Sequence, residues 1–290
     1  MNDIVLNAYA KINLTLDVIG RRENGYHDLE MIMQSVNVFD RVLVRKNSTG
    51  NINIYTDSEK IPTDNSNIAY KAADRLIKTY GIKNGVDIVI NKNIPVAAGL
   101  AGGSTDAAAV IKGMKKLFLT DVSEREILNI ASEIGKDVPF CLKGGTAFAY
   151  GLGDELLHIE KSPKFYVVLA KPDIDVSTAE VYKALKIDEI KIRPDTRGVL
   201  EAIENGDEIT VAKECHNVLE TVTAKKYPVI EKIKKTLKEQ GAMTSLMSGS
   251  GPTVYGLFDS KEKADEAADF VGKKFGIKEV FSTTTIGMRD

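Results

Sequence analysis

The sequence predicts an α+β fold. Alternating apolar residues dominate the first half of the chain, which reads as strands. In the second half, apolar residues at helical spacing alternate with further short strands. The third observation is a small-residue loop beginning at Pro95, which joins a strand to an amphipathic helix.

Size and charge narrow the function classes. A chain of 290 residues holds one large or two ordinary domains. A formal net charge of −2 supplies no bulk basic field for nucleic acid or an anionic membrane. No apolar run is long enough to span a bilayer and Met1 opens no charged-then-apolar leader, so cytoplasm is the expected location. Cys141 and Cys215 have no metal-like spacing and make no disulfide framework. His27, His158 and His216 are too scattered for a zinc site.

Taken in order, Ile12, Leu14, Leu16 and Val18 alternate with polar residues as a half-buried strand ending at Gly20. Lys11 and Asn13 fall on its other face, where a lysine is ordinarily solvated. Residues 21–25 are a polar turn, and the Tyr26 and His27 rings that follow either stack on a ligand or pack the loop. Residues 31–39 and 41–45 read as two strands joined around Asp40. Ile68, Ala72, Leu76 and Tyr80 place a helix over 64–81, and Val86, Ile88 and Ile90 a strand. Ser123 and Glu126 form a capping box for a helix closing at Gly135. Asp137, two residues before Pro139, is by itself a turn former. Strands follow at 146–150 and 165–170, then a second capping box at Ser177 and Glu180. Two or three helices reach Gln240, and a second glycine loop, 247–254, leads into a strand at 254–258. A helix over 264–275 and a strand over 278–286 complete the chain.

The central loop runs Pro95, Val96, Ala97, Ala98, Gly99, Leu100, Ala101, Gly102, Gly103, Ser104, Thr105. Nothing larger than Leu100 stands between Ala97 and Gly103, so a ligand can approach the backbone. The helix behind it, carrying Ala107, Val110, Ile111, Met114, Leu117 and Phe118, presents unpaired N–H groups and its positive dipole end. That combination suits a nucleotide triphosphate, with Ser104, Thr105 and Asp106 available to cap the helix or hold Mg²⁺. The plainer alternative is a flexible turn before an Ala-rich helix. The spacing fits neither the Walker loop nor the dinucleotide fingerprint. Because alanine resists positive φ, left-handed backbone is expected at Gly99, Gly102 and Gly103 rather than at Ala97, Ala98 or Ala101.

This loop, with Pro95, then Gly99-Leu100, then Ser104, resembles the phosphate loop of the small-molecule kinases that include galactokinase, homoserine kinase and mevalonate kinase. Ala10-Lys11-Ile12-Asn13-Leu14, Gly25-Tyr26-His27-Asp28-Leu29 and Gln34-Ser35 resemble one branch of that family, and the likeness extends from Ala10 to about Phe258. The resemblance implies two domains with the active site in the cleft between them. They are a ribosomal-protein-like N-terminal domain, residues 1–162, and a ferredoxin-like C-terminal one, residues 163–290. It implies ATP and Mg²⁺ as cofactors and a cytidine diphosphate sugar alcohol as the other small-molecule partner, with no nucleic acid or membrane. The assembly is expected to be a monomer or a homodimer.

Residue by residue, the resemblance makes Asp137, in Gly-x-Asp-Val-Pro, the catalytic aspartate, with Lys11 stabilising the attacking oxygen. Asn13, Tyr26, His27, Thr178 and Tyr182 would hold the substrate, Tyr182 on its cytosine. Residues 95–105 would bind the phosphates, Asn67 and Ile68 the adenine, and Lys92 would reach toward the nucleotide. The second glycine loop resembles the family motif that sits against the phosphate loop. For the metal, Ser104 and Asp106 fit equally well. Homoserine or mevalonate kinase, and a binding protein without turnover, are the rival readings. Gly25-Tyr26-His27 and the Lys11 and Asn13 pair argue against the first two, and retention of Lys11 and Asp137 against the third.

Overall fold

The computed structural model describes residues 2–23 and 25–288. Two long strands open the chain, β1 (Asp3–Arg21) and β2 (His27–Asn47). Of the polar turn expected between them, Asn24 lies outside the described residues; around it Arg22 N–H donates to the Tyr26 carbonyl at 2.8 Å. β2 is one strand, not two joined at Asp40. Asp40 is fully buried within it, accepting hydrogen bonds from the N–H groups of Asn93 at 2.6 Å and Ile94 at 2.8 Å. Its partners come from a distant segment, so the local pattern mistook a buried acid for a turn.

The chain forms two units, each assembled from separated segments. The first comprises Met1–Ala10, Val38–Val96 and Ala101–Lys143. It holds β3 (Ile52–Thr56), α1 (Ile68–Tyr80), β4 (Gly85–Asn91), α2 (Gly102–Phe118), α3 (Glu124–Ile134) and α4 (Val138–Lys143). Its strands lie in the order β3-β4-β2-β1, β4 antiparallel to β2 and parallel to β3. Val42 pairs with Ile90 and Val44 with Ile88, so one face of the sheet is a branched apolar surface. The small faces of α1 (Ala69, Ala72, Ala73) and α2 (Ala107, Ala108) are buried in the same core. Helix α2 runs so near the sheet that a Cβ on Gly113 would stand 2.8 Å from Val44 Cγ2. Asn67 caps α1 through Ala69 N–H, and Gly81 ends it in left-handed backbone.

The second unit comprises Lys11–Asn37, Ala97–Leu100 and Gly144–Asp290. Here β1 pairs in parallel with β8 (His216–Asn217), while β2 continues into β5 (Thr146–Gly151) and β6 (Glu155–Ile159). A second, antiparallel sheet contains β7 (Tyr166–Lys171), β9 (Thr244–Met247), β10 (Val254–Phe258) and β11 (Glu279–Thr284), in the order β11-β7-β10-β9. Helices α5 (Thr178–Ala184), α6 (Thr196–Asn205), α7 (Glu208–Glu214), α8 (Glu220–Lys226) and α9 (Val229–Glu239) separate β7 from β9, and α10 (Lys261–Phe275) separates β10 from β11. With α9 and α10 against it, this is the β-α-β-β-α-β arrangement of a ferredoxin-like sheet. Four helices, α6 to α9, occupy the region expected to hold two or three, because Gly206, Cys215 and Pro228 break it into short pieces.

Candidate active site

In the second unit, residues 97–100 of the central loop are fastened at three successive carbonyls. Ala98 O accepts from Thr253 N–H at 3.3 Å and Leu100 O from Lys11 N–H at 3.1 Å. Gly99 O accepts from the Ser248 hydroxyl at 2.9 Å. The second glycine loop is therefore a direct structural partner of the first. Gly99 has φ 74°, and a Cβ there would lie 2.2 Å from Ser248 O, so only glycine fits.

In the first unit the loop turns into α2 at Ala101, whose carbonyl accepts from Thr105 N–H at 2.9 Å. No side chain caps this helix. The Thr105 hydroxyl donates to Tyr9 O at 2.7 Å, and Asp106 is turned to Lys92, so neither serves as the expected cap. A first turn left without a side-chain cap is what an incoming phosphate needs.

Left-handed backbone does not fall where the sequence predicts. Ala97 (φ 53°) and Ala101 (φ 60°) adopt it with Gly99, whereas Gly102 and Gly103 belong to α2. The hydrogen bonds at Ala98, Gly99, Leu100 and Ala101 fix the loop path and override the local preference, which costs about 1–2 kcal/mol per alanine. The helical glycines answer to space instead: a Cβ on Gly102 would stand 3.2 Å from Ile94 Cγ2 and 3.3 Å from Lys92 Nζ. Ala101→Gly should accordingly raise stability by about 1 kcal/mol. A urea melt with an unchanged or lower midpoint would show that the methyl group compensates for its own strain.

Beneath α2, Lys92 Nζ lies between Asp40 and Asp106, 2.9 Å from Asp106 Oδ2, and all three side chains are almost fully buried. Burial pushes the Asp106 carboxyl up to about 8, with the Asp40 charge adding to it against the pull of Lys92. Burial works against the Lys92 charge, but the two carboxyls hold its pKa above the ordinary value. The lysine expected to reach the nucleotide is thus committed to the floor of the loop. Asp40 has no local signal beyond being an acid inside a β-branched run.

The same unit brings the other expected nucleotide residues to the start of α2. Ile68 stands at the head of α1, with its Cγ2 3.3 Å from where a Gly103 Cβ would be. Asn67 is occupied in capping α1 and donates to Pro62 O at 2.6 Å. A Cβ on Gly135 would lie 3.2 Å from Ile68 Cδ1 and 4.0 Å from Ser104 Oγ, so the turn Gly135-Lys136-Asp137 borders the helix start. Asp137 is half-buried there, and its carbonyl accepts from Cys141 N–H at 3.0 Å to open α4.

In the second unit Lys11 is only 5 % exposed, which corrects the solvated strand face the alternation suggests. β1 is buried on both sides from Ala10 to Val18. Lys11 Nζ donates to Asn13 Oδ1 at 2.8 Å, and Tyr255 OH donates to Asn13 O at 2.8 Å. Gly249 approaches the same amide, since its Cβ would lie 3.5 Å from Asn13 Oδ1. His27 faces Tyr182 with ring centroids 5.3 Å apart, and both line a groove of about 540 Å³. Burial, with the charge of Arg21, lowers the His27 pKa, which favours a neutral ring at this position. Tyr26, beside His27, is 58 % exposed. Thr178 Oγ1 and Ser250 Oγ are hydrogen-bonded at 2.8 Å, which ties α5 to the second glycine loop.

Among the described residues, no group of three or more His, Cys, Asp or Glu side chains could hold a metal ion. Asp106 Oδ1 is buried without a hydrogen-bond partner, but its other oxygen belongs to Lys92. The donor set does not make a protein cage. It suits Mg²⁺ carried by a triphosphate, which keeps most of its shell from phosphate and water.

Residues 67–145 match the GHMP kinases N terminal domain, and residues 199–278 the GHMP kinases C terminal domain. With the glycine loop and the ferredoxin-like sheet, these matches define the class: a small-molecule kinase of the GHMP type. The 4-diphosphocytidyl-2-C-methyl-D-erythritol kinase of Caldicellulosiruptor saccharolyticus is 48% identical over 282 residues, 97% of each chain. The enzyme of the same name from Acetivibrio thermocellus is 49% identical over 286 residues, 99% of this chain and 100% of its own. A crystal structure of 4-(cytidine 5'-diphospho)-2C-methyl-D-erythritol kinase superposes with a TM-score of 0.83 at 31% identity, covering 98% of this chain and 100% of that one. The chain belongs to the 4-diphosphocytidyl-2-C-methyl-D-erythritol kinases, within the GHMP kinase family. Among the described residues, no helix is long and apolar enough to cross a membrane.

Proposed function

We propose that this protein transfers the γ-phosphoryl group of ATP to the 2-hydroxyl of 4-diphosphocytidyl-2-C-methyl-D-erythritol, in non-mevalonate isoprenoid precursor biosynthesis. Identity of about half the residues across nearly the whole length of enzymes so named carries this reading. The enzyme acts in the cytoplasm on these small molecules, as a monomer or homodimer.

Phosphoryl transfer of this kind passes through a loose transition state, so positioning and charge neutralisation supply most of the rate. The backbone at Gly99 and from Ala101 to Thr105 cradles the phosphates, and the uncapped end of α2 faces their charge. Mg²⁺ supplies further neutralisation when bound, and Ser104, in the first turn of α2, is the side chain we assign to it. Asp137 accepts the proton of the attacking hydroxyl. An aspartate is a weak base for an alcohol, so it takes the proton late, as the new O–P bond forms. Lys11, oriented by Asn13, stabilises the negative charge on that oxygen. His27 and Tyr182 hold the cytosine between their rings and the groove wall; Tyr26 and Thr178 are assigned to the same substrate by the family resemblance.

The test is a turnover assay comparing this substrate with homoserine and mevalonate. Comparable kcat/KM for either rival would sink the assignment. Tyr182→Ala should raise the KM for the cytidine substrate about tenfold or more, the worth of one aromatic ring against a base, and leave the ATP KM near its original value. Equal losses for both substrates, with a lowered Tm, would reduce the ring pair to packing.

A further inference from the structure

The cytidine groove has two walls that come from different parts of the second unit. One is the end of β1 and start of β2, with Ile19, Gly20 and His27; the other is the end of α5 and the turn after it, with Tyr182, Leu185 and Ile187. Beyond α5, the second wall is a connection, residues 185–195, whose only regular structure is a short 3₁₀ turn, Ile187–Glu189. Such a segment does not hold a base-width gap by itself.

One side chain spans the two walls. Arg193 Nη1 donates to Asp17 Oδ1 at 2.7 Å and to Val18 O at 3.1 Å, and its Nη2 donates to Ile187 O at 3.4 Å. Asp17 is anchored in turn, since the same oxygen accepts from Val18 N–H at 2.8 Å. The carboxylate side chain is 7% exposed while the arginine is 38% exposed, so the pair is rooted in β1 with the guanidinium facing outward. Three acceptors on two elements are met by one planar fork, which a lysine cannot reproduce.

We infer that Arg193 and Asp17 form a clasp that sets the width of the groove, and are positioning residues for recognition of the nucleobase. The clasp makes no contact with the reacting hydroxyl's proposed partners and rests on the reading of the groove as the cytidine site. Its loss lets the α5 wall drift from β1 and weakens binding of the base without altering phosphoryl transfer to a substrate once seated. Asp17→Asn keeps the shape of the acceptor and removes its charge, so it should act in the same direction as an Arg193 variant but less severely.

The experiment measures KM and kcat for both substrates, and the Kd of cytidine 5'-diphosphate, in full-length Arg193→Lys, Asp17→Asn and Tyr182→Ala. A misplaced wall should raise the cytidine KM and the cytidine 5'-diphosphate Kd of Arg193→Lys together by about tenfold or more. Its kcat and ATP KM should stay within about twofold of the parent, a split that general destabilisation does not produce. If Tyr182→Ala weakens cytidine 5'-diphosphate while Arg193→Lys does not, the clasp is overturned and the groove reading stands. If neither variant weakens it, the groove is not the base site and both fall. An Arg193→Lys variant whose two KM values rise equally also overturns the clasp, since its role is then only structural.

Discussion

Asp137→Asn is expected to give a folded protein that binds ATP and turns over at least about 10²-fold more slowly, the usual contribution of a positioned base. Asparagine keeps the size and turn-forming tendency of aspartate. The backbone link from the Asp137 carbonyl to Cys141 N–H, which opens α4, does not depend on the side chain. The change therefore removes the proton acceptor and the carboxylate charge while leaving that backbone link in place. The loss should fall on kcat, with both KM values close to the parent's, because the missing interaction forms only as the proton moves. Steady-state kinetics with both substrates reads this directly. A variant with near-parental kcat would take the base role away from Asp137.

Gly99→Ala is the substitution with the largest expected effect on the phosphate loop. The new methyl group would lie 2.2 Å from Ser248 O and 3.1 Å from Gly251 O. Both are backbone atoms, so no side-chain rotation relieves the collision, and φ 74° adds the left-handed strain of any alanine. The loop must withdraw from the second glycine loop, breaking the Ser248 hydrogen bond to Gly99 O. Strain and overpacking together should cost about 2–4 kcal/mol. On the phosphate-binding role proposed for this loop, the ATP KM should rise with it, since its amides move as one piece. Denaturant melts and ATP titration check the two halves of this expectation separately. Parental stability with a parental ATP KM would mean that the loop is not held by its contact with residues 248–251.

Ala97 and Ala101 show how far local preference can be overridden in the same eleven residues. Both adopt the conformation that their Cβ disfavours, although the sequence points to the neighbouring glycines for that work. The neighbouring hydrogen bonds to Ala98, Gly99 and Leu100 are made with strands and loops remote in sequence, so no window centred on the loop contains the information. Asp40 repeats the lesson in β2. Its carboxylate replaces a turn with two backbone hydrogen bonds and a buried lysine, and the strand runs straight through. Lys11 is the converse case: an alternating strand with a polar second face reads as exposed, but Lys11 is buried and Gly249 stands over the Asn13 amide on that face.

By itself the sequence determined the periodic elements, the capped starts at Ser123 and Ser177, the strand-loop-helix around Gly99, and the family. These depend on spacing along the chain and on residue types that act within one turn of where they stand. Only the tertiary structure decided that two alanines take left-handed backbone, that Lys92 is bound between Asp40 and Asp106, that His27 faces Tyr182, and that Arg193 reaches Asp17. It also decided that each unit gathers segments lying far apart in the chain. The physical reason is common to all of them. A buried charge, a strained φ or a ring pair is tolerable only when its partner is present, and in each case that partner, or the packing that enforces it, comes from a segment local periodicity does not connect to it.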